Sequence, residues 1–275
     1  MKAAHPNALP IAGGTDVMVE INFDRRRPEA FIDLTRIAEL TEWGMEGALL
    51  RIGAAVTYTR VINELGDRLP GLAKASRTVG SPQIRNRGTV GGNLGSASPA
   101  GDAHPPLLAS SATVELASVA GTRRLPARDF FIGPKRNAMR NDELIAAFLI
   151  EPAAGPQEFS KVGTRNAMVI AVCSFALALE PKRRRVGTGI GSAAPTPITA
   201  DSAERFLEGV LDERNLWERP AALEASAMAR FGELVAAAAR PIDDIRGTAA
   251  YRRHALRVTA RRSLNWAWNA YRGAA

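Results

Sequence analysis

The segment Gly80–Gly95 contains five glycines among its sixteen residues, and most of the others are polar. This composition is too rich in glycine for a regular helix or strand, so we interpret the segment as one long shaped loop. A shorter glycine pair, Gly13-Gly14, follows the apolar run Ala8–Ala12 near the start of the chain. Glycine permits unusual dihedral angles and lets a backbone approach another group closely. Any fold of this chain must therefore place two glycine-rich turns beside its regular elements.

The residues before Gly80 predict strands that alternate with helices. Ala8–Ala12 is typical of a short strand, and Thr15-Asp16 opens the helical segment Val17–Ile21. The remaining patterns predict the strands Phe31–Leu34 and Leu49–Ala55 and the helices Thr57–Leu65 and Leu72–Ala75. Alternation of this kind indicates an α/β subdomain.

The residues that follow the glycine-rich segment predict a second subdomain, rich in strands. Ala112–Ala117 and Thr122–Leu125 flank a Ser-Val-Ala-Gly turn, and Glu143–Ile150 is a further apolar strand. The next segment, Glu151–Gln157, has two prolines, a glycine and no periodicity, as is typical of a linker. We therefore place a domain boundary there.

The sequence beyond this linker predicts an α+β domain. Met168–Leu179 is followed by Pro181 and a basic run and then by Val186–Ile190, which favours two hairpin-linked strands. The rest is rich in alanine and predicts helices over Ala200–Leu207, Ala221–Ala239 and Thr248–Tyr271.

Composition excludes several classes of protein. With 46% hydrophobic and 23% charged residues, the chain is not a disordered one. The longest mostly apolar stretch, Ala167–Leu179, is too short to cross a bilayer. The N-terminus lacks the apolar region of a secretion signal, so we expect a cytoplasmic protein.

Cys173 is the only cysteine, so the chain forms no internal disulfide and holds no iron–sulfur cluster through several thiolates. Its apolar surroundings predict a small core residue. The three histidines, His5, His104 and His254, lack metal-ligand spacing.

The net charge of +8 comes from dispersed basic runs, such as Lys182–Arg185, Arg252-Arg253 and Arg261-Arg262. No nucleic-acid-binding module surrounds them. They indicate solvated faces or, alternatively, a docking surface for an acidic partner, and not a nucleic-acid site.

The two glycine segments are candidates for a phosphate site. A site without lysine needs converging backbone N–H groups, which glycine allows, and a helix N-terminus beside the loop adds its dipole. Two such loops could hold the two halves of a diphosphate. Neither matches the Gly-x-Gly-x-x-Gly fingerprint or the Gly-x-x-x-x-Gly-Lys phosphate loop. From the residues alone, an anion site and purely structural turns remain equal alternatives.

Ala12–Asp16, the long motif Gly80–Asp102 and Phe159–Gly163 together resemble the FAD-binding medium subunits of the xanthine dehydrogenase and carbon monoxide dehydrogenase family, the molybdenum hydroxylases. The resemblance implies an α+β chain. Residues 1–152 would form a two-subdomain FAD-binding domain of the PCMH (vanillyl-alcohol-oxidase-like) type. Residues 158–275 would form a C-terminal domain of three antiparallel strands plus helices. The family normally begins with a further strand and helix, and we expect either a misassigned start or a trimmed first subdomain here.

The resemblance also implies a set of cofactor-binding residues. The first diphosphate loop would comprise Ala12, Gly13, Gly14, Thr15, Asp16 and Val17, and the second Thr89, Gly91, Gly92 and Asn93. Asp102 would accept hydrogen bonds from cofactor hydroxyls, whereas Val79, Ile145 and Lys161 would lie close to the cofactor.

Each of these positions has a structural alternative. Asp102 could cap a helix over Ala103–Ser110, Thr15-Asp16 could cap the first helix, and Lys161 could be a surface charge. For Gly92 we expect dihedral angles that are unfavourable to other residues.

The function implied by the resemblance is electron transfer through FAD, with no side chain acting as acid, base or nucleophile. A molybdopterin-binding large subunit and a small subunit with two-iron two-sulfur clusters would be the partners, and NAD, oxygen or a quinone would accept the electrons. The alternatives are a self-contained FAD-dependent oxidoreductase of the same cofactor-binding fold and an assembly protein without cofactor.

Overall fold

The computed structural model describes residues 1–274. Its first unit is a pair of parallel strands, β1 (Leu9–Ile11) and β2 (Phe31–Asp33), with Leu9 opposite Phe31. Helix α1 (Val17–Asn22) lies in the connection, because parallel strands cannot be joined by a tight turn. The apolar residues of this unit pack on one edge of the next and form a small core.

Residues 38–150 form the larger unit. Its elements, in chain order, are α2 (Ala38–Thr41), β3 (Trp43–Glu46), β4 (Leu49–Gly53), α3 (Tyr58–Glu64), α4 (Pro70–Arg77), α5 (Pro82–Arg87), α6 (Val90–Ser96), α7 (His104–Ala109), β5 (Thr113–Ser118), β6 (Gly121–Pro126), α8 (Ala127–Phe130), β7 (Phe131–Gly133), β8 (Arg136–Asn137) and β9 (Leu144–Ile150). Five strands form an antiparallel sheet in the order β3-β4-β9-β5-β6. The central strand, β9, is almost entirely buried, which explains its unbroken apolar sequence.

The assignment of strand Leu49–Ala55 to the first α/β subdomain is wrong. As β4, this strand pairs with β3 and β9 in the five-stranded sheet, with Ile52 opposite both Trp43 and Phe148. The hairpin β3–β4 turns at Gly47, whose φ of +61° is in the region that favours glycine. Alternation of strands and helices along the chain does not fix which strands pair in space.

The interpretation of Gly80–Gly95 as a single loop is also wrong, since the segment forms the short helices α5 and α6. Each helix begins at a capping hydroxyl: Ser81 Oγ accepts from the amide of Ile84 at 3.3 Å, and Thr89 Oγ1 accepts from the amide of Gly92 at 2.8 Å. Glycine lowers helix propensity by about 1 kcal/mol per residue relative to alanine. Burial of Val90 and Leu94, both fully inaccessible, offsets that cost.

The last unit confirms the expected three antiparallel strands plus helices. Strands β10 (Gln157–Val162), β11 (Cys173–Glu180) and β12 (Arg185–Gly191) form a sheet in chain order. Helices α9 (Asp201–Glu213), α10 (Ala225–Ala238) and α11 (Ala249–Ala274) complete this unit. Its core contains Cys173, Phe175 and Trp268, so the prediction that Cys173 is a core residue is confirmed.

Helix α7 of the larger unit packs directly on strand β12 of the last unit. A methyl group at Gly187 would collide with the carbonyl of Ala109, and one at Gly189 would collide with the carbonyl of Pro105. The absence of side chains at these two positions lets the backbones of helix and strand touch. We call this contact the α7–β12 seam.

Among the helices of residues 1–274, none is both long enough and apolar enough to cross a membrane.

Candidate cofactor-binding cleft

A cleft of about 660 Å³ lies between the β1–β2 unit and the larger unit. Its volume is within the range typical of small-molecule and cofactor sites, roughly 300–1,000 Å³. Lys135 on the larger unit forms an ion pair across the cleft with Glu20 of α1, with 2.8 Å between Nζ and Oε1. The neighbouring ammonium lowers the pKa of Glu20 below its ordinary value.

The first glycine segment is held against the second by direct backbone contact. A Cβ atom on Gly13 would collide with the carbonyl of Arg87 and would lie 2.9 Å from the amide nitrogen of Gly88. Gly14 has a φ of +76°, a left-handed conformation that other residues rarely adopt. The two segments, more than seventy residues apart in sequence, therefore form adjacent parts of one wall.

The glycines of α6 differ in what they contact. Gly91 is buried against the end of β4, where a Cβ atom would lie 2.5 Å from Ala54 Cβ. Gly92 is exposed to the cleft, and only Thr89 Oγ1, at 3.0 Å, lies near its Cβ position. The expectation of unusual dihedral angles at Gly92 is wrong, because the residue lies in the first turn of a right-handed helix.

Asn93 is fixed from two sides. Its side-chain Oδ1 accepts from the amide of Ala103 at 3.3 Å, and its carbonyl oxygen lies 3.0 Å from Nε2 of His104. Since a carbonyl only accepts, Nε2 of His104 must carry the hydrogen. Complete burial lowers the pKa of His104 from 6.5 to about 4, although the carbonyls of Asn93 and Ser98 oppose the shift, so the ring is neutral near pH 7.

Asp102 and Lys161 form a buried ion pair, with 2.5 Å between Oδ2 and Nζ and side chains only 6% and 8% exposed. Thr78 supports both residues: its hydroxyl lies 3.1 Å from Oδ2 and its carbonyl accepts from Nζ at 3.2 Å. Burial raises the pKa of Asp102, and Lys161 and Thr78 oppose that shift. The other oxygen, Oδ1, is buried and has no partner among residues 1–274.

The structural alternatives for these positions are not observed. Helix α7 begins after Ala103 without a side-chain cap, and α1 begins after Asp16 without one. Lys161 is not a surface charge.

Twelve of the fourteen expected residues line the cleft: Ala12, Gly13, Gly14, Thr15, Asp16, Val17, Val79, Thr89, Gly91, Gly92, Asn93 and Ile145. Asp102 and Lys161 are not part of its lining and lie behind the wall.

Sequence analysis missed Tyr58, which lines the cleft at the start of α3. The residue is 3% exposed, and its hydroxyl has no hydrogen-bond partner among the described residues. Burial, together with the charges of Asp102 and Asp16, raises its pKa well above 10, so the hydroxyl keeps its proton. By sequence, an aromatic residue on the apolar side of a helix is indistinguishable from a core residue.

The opposite wall was missed as well. It includes Asn137, Met139, Arg140, Asn141 and Glu143, which connect β8 to β9. The one available signal was a polar run without periodicity between two strands.

Comparisons with known proteins agree with this geometry. The family described as "FAD binding domain in molybdopterin dehydrogenase" matches residues 1–152, and "CO dehydrogenase flavoprotein C-terminal domain" matches residues 158–267. The nicotinate dehydrogenase FAD-subunit of Eubacterium barkeri is 36% identical over 210 residues, covering 72% of this chain and 71% of that protein. The nicotine 6-hydroxylase medium subunit of Paenarthrobacter nicotinovorans is 31% identical and covers 92% of this chain and 87% of that one.

A solved structure is similar over nearly the whole chain. A chain of carbon monoxide dehydrogenase from Hydrogenophaga pseudoflava superposes with a TM-score of 0.85 at 26% identity, covering 96% of this chain and 91% of that one. The fold is that of a flavoprotein subunit. More particularly, the chain belongs to the family of FAD-binding medium subunits of molybdenum hydroxylases, and FAD is its cofactor.

The cleft suits this cofactor. Residues of both glycine segments line the cleft, and side chains at Gly13 and Gly91 would collide with the backbone of Arg87 and of Ala54, respectively. One buried polar atom of the lining, Tyr58 Oη, lacks a protein partner among residues 1–274, as expected where a ligand supplies the missing hydrogen bond.

Proposed function

We propose that the cleft holds FAD with its diphosphate between the two glycine segments, and that the chain relays electrons within a molybdenum hydroxylase. The observation that carries the proposal is the backbone contact of Gly13 with Arg87 and Gly88, which brings both segments to one cavity. The proposed contacts are the twelve expected residues that line the cleft, with Tyr58 added; Asp102 would join them through Oδ1, and Lys161 would act through Asp102.

Different atoms of the wall have different roles in this proposal. Backbone amides of the glycine segments bind the anionic diphosphate, because the phosphate oxygens can approach only where no side chain intervenes. Tyr58 donates a hydrogen bond from its hydroxyl group to the cofactor, since its raised pKa keeps the hydroxyl protonated. His104 and Ala103 fix the orientation of Asn93 from behind.

The buried ion pair orients the carboxylate of Asp102. Lys161 and Thr78 occupy Oδ2, which leaves Oδ1 as the free acceptor. A hydrogen bond from a cofactor hydroxyl to Oδ1 requires that this buried carboxylate become accessible when the cofactor binds. An unpaired buried carboxylate would tend to take up a proton and lose acceptor capacity, so Lys161 keeps Asp102 ionised.

Bound FAD supplies the ability to take electrons singly and release them as a pair. The electrons would come from two-iron two-sulfur clusters of a small subunit, reduced in turn by a molybdopterin-binding large subunit. This chain cannot hold such a cluster itself, because its only cysteine is buried in the core of the last unit. The external acceptor would be NAD, oxygen or a quinone.

A self-contained flavin oxidoreductase is less well supported. That function needs a side chain that exchanges protons with a substrate near neutral pH. Tyr58 is the one tyrosine that lines the cleft, and its raised pKa suits hydrogen bonding and disfavours proton transfer.

Co-expression with the products of neighbouring genes tests the assembly. We expect the purified chain to be yellow, to carry one non-covalent FAD that acid releases into solution, and to co-elute with iron and molybdenum. Metal analysis and absorbance of the acid supernatant are the measurements. A colourless chain that cannot be reconstituted with FAD would contradict flavin binding. A yellow chain that elutes without iron and molybdenum would contradict the assignment to a complex.

A further inference from the structure

Helix α11 carries most of the net charge of the chain. Its 26 residues contain six arginines and one histidine but no aspartate or glutamate, whereas the net charge of the whole chain is +8. The basic pairs Arg252-Arg253 and Arg261-Arg262, which are dispersed in the sequence, thus share one helix.

Five of these arginines are exposed: Arg253, Arg257, Arg261, Arg262 and Arg272. The first three follow one another at intervals of four residues, so they form a row along the helix. Other residues of the helix, among them Leu256, Leu264 and Trp268, are buried in the core of the last unit. We call Arg253, Arg257, Arg261 and Arg262 the α11 arginine row.

No carboxylate among residues 1–274 forms an ion pair with the α11 arginine row. The adjacent carboxylates are engaged elsewhere: Glu233 of α10 binds Arg230, and Asp244 binds Arg246 and the buried Arg252. In contrast, exposed arginines of the five-stranded sheet are neutralised, as where Arg124 binds both Glu46 and Glu115. Arginines at spacing i, i+4 without intervening carboxylates repel one another.

We propose that the α11 arginine row docks an acidic surface of a partner subunit, an inference that rests on the proposed function. Charge complementarity requires an anionic partner, which would relieve the repulsion along the row. The partners implied by the proposed function are protein subunits, and no nucleic-acid-binding module surrounds the row, which favours a protein over a nucleic acid.

The test compares two variants of equal charge in the co-expressed complex. One replaces Arg253, Arg257 and Arg261 with glutamate. The matched control replaces Arg128, Lys182 and Arg205 with glutamate. These three residues are exposed and lie outside α11, and none has a carboxylate within ion-pair distance among residues 1–274. Both variants change the net charge by −6. Flavin content and thermal unfolding show that each variant folds, and R253Q/R257Q/R261Q repeats the test if the glutamates disturb the helix.

We expect the α11 variant to keep its flavin but to lose iron and molybdenum by roughly tenfold or more, while the control retains both metals. Wild-type assembly should weaken as salt increases.

An α11 variant with wild-type metal content would overturn the inference and leave the proposed function intact. A variant that assembles normally but no longer binds a short duplex DNA that wild type binds would also overturn it in favour of nucleic acid. If wild type itself contains no iron or molybdenum, the proposed function fails first and the inference falls with it.

Discussion

The hydroxyl of Tyr58 is buried in the wall of the cleft without a protein partner among residues 1–274. A buried hydroxyl that is unpaired costs folding free energy, so Tyr58→Phe should leave the apo-protein equally stable or slightly more stable. In the holo-protein the same change removes a hydrogen bond to the cofactor worth about 1 kcal/mol, which weakens FAD binding roughly fivefold to tenfold.

Titration of apo-protein with FAD, followed by flavin fluorescence, measures this effect. The control is Tyr251→Phe, which alters an exposed tyrosine on α11 and should change neither property. Unchanged FAD affinity in Tyr58→Phe would show that the hydroxyl does not face the cofactor.

His104 makes stability depend on pH. Its pKa is about 4 in the folded chain, compared with an ordinary value of 6.5, so the unfolded chain takes up the proton first as pH falls. The stability contributed by the neutral ring is complete above pH 6.5 and is lost as pH falls toward 4, by on the order of 3 kcal/mol in total.

His104→Gln keeps a donor that can reach the carbonyl of Asn93 but does not titrate. We therefore expect urea unfolding curves of wild type and His104→Gln to diverge in their pH dependence between pH 6.5 and 4.5, with the variant flatter. Parallel pH profiles would mean that the ring is accessible to protons in the folded state. The comparison also cancels the contribution of Asp102, whose raised pKa acts with the opposite sign.

At the scale of elements, α6 uses its two adjacent glycines for different purposes. A methyl group at Gly91 would press α6 away from the end of β4, so Gly91→Ala should destabilise the apo-protein by about 1–3 kcal/mol. Gly92→Ala meets only the capping hydroxyl of Thr89, at 3.0 Å, which must shift slightly, and it improves helix propensity by about 1 kcal/mol, so its apo-protein should melt close to wild type.

Gly92→Ala should nevertheless retain less flavin than wild type, because the added methyl group enters the cleft. The measurement is the ratio of flavin to protein after gel filtration, beside thermal unfolding of the apo-forms. If Gly92→Ala retains FAD with wild-type affinity, the diphosphate does not lie against α6.

The same helix shows how far sequence could go. The residues around Thr89–Asn93 alone left an anion site and a structural turn as equal alternatives, and the family resemblance was needed to predict that this segment lines a cleft, as it does. Its secondary structure was not predictable from composition, since burial of Val90 and Leu94 overrides the low helix propensity of glycine. The pairing of β4 was not predictable either, because its partner β9 lies about a hundred residues later in the sequence.

For the whole molecule, the three helices of the last unit were predictable from its alanine-rich segments, and the hairpin of β11 and β12 from Pro181 and the basic run, whereas the third strand, β10, was implied only by the family resemblance. The contacts between distant segments could not be predicted from the sequence and are seen only in the structure. The buried pairing of Lys161 with Asp102 depends on β10 lying beside α4, and the exposure of Tyr58 to the cleft depends on where the β1–β2 unit packs. Neither the ion pair nor the position of Tyr58 can be predicted from the local sequence.

The α7–β12 seam has a mechanical consequence. Where two elements meet through side chains, rotamer changes allow them to slide or tilt, but at Gly187 and Gly189 the backbones themselves touch. The cleft-bearing part of the chain and the unit that carries α11 therefore move as one body, and docking at α11 would set the distance from a partner's redox centres to the flavin without a hinge between them. If the proposed docking and electron relay hold, two glycines remote from the cleft would help to determine how fast the cofactor is reduced, since electron transfer slows steeply with distance.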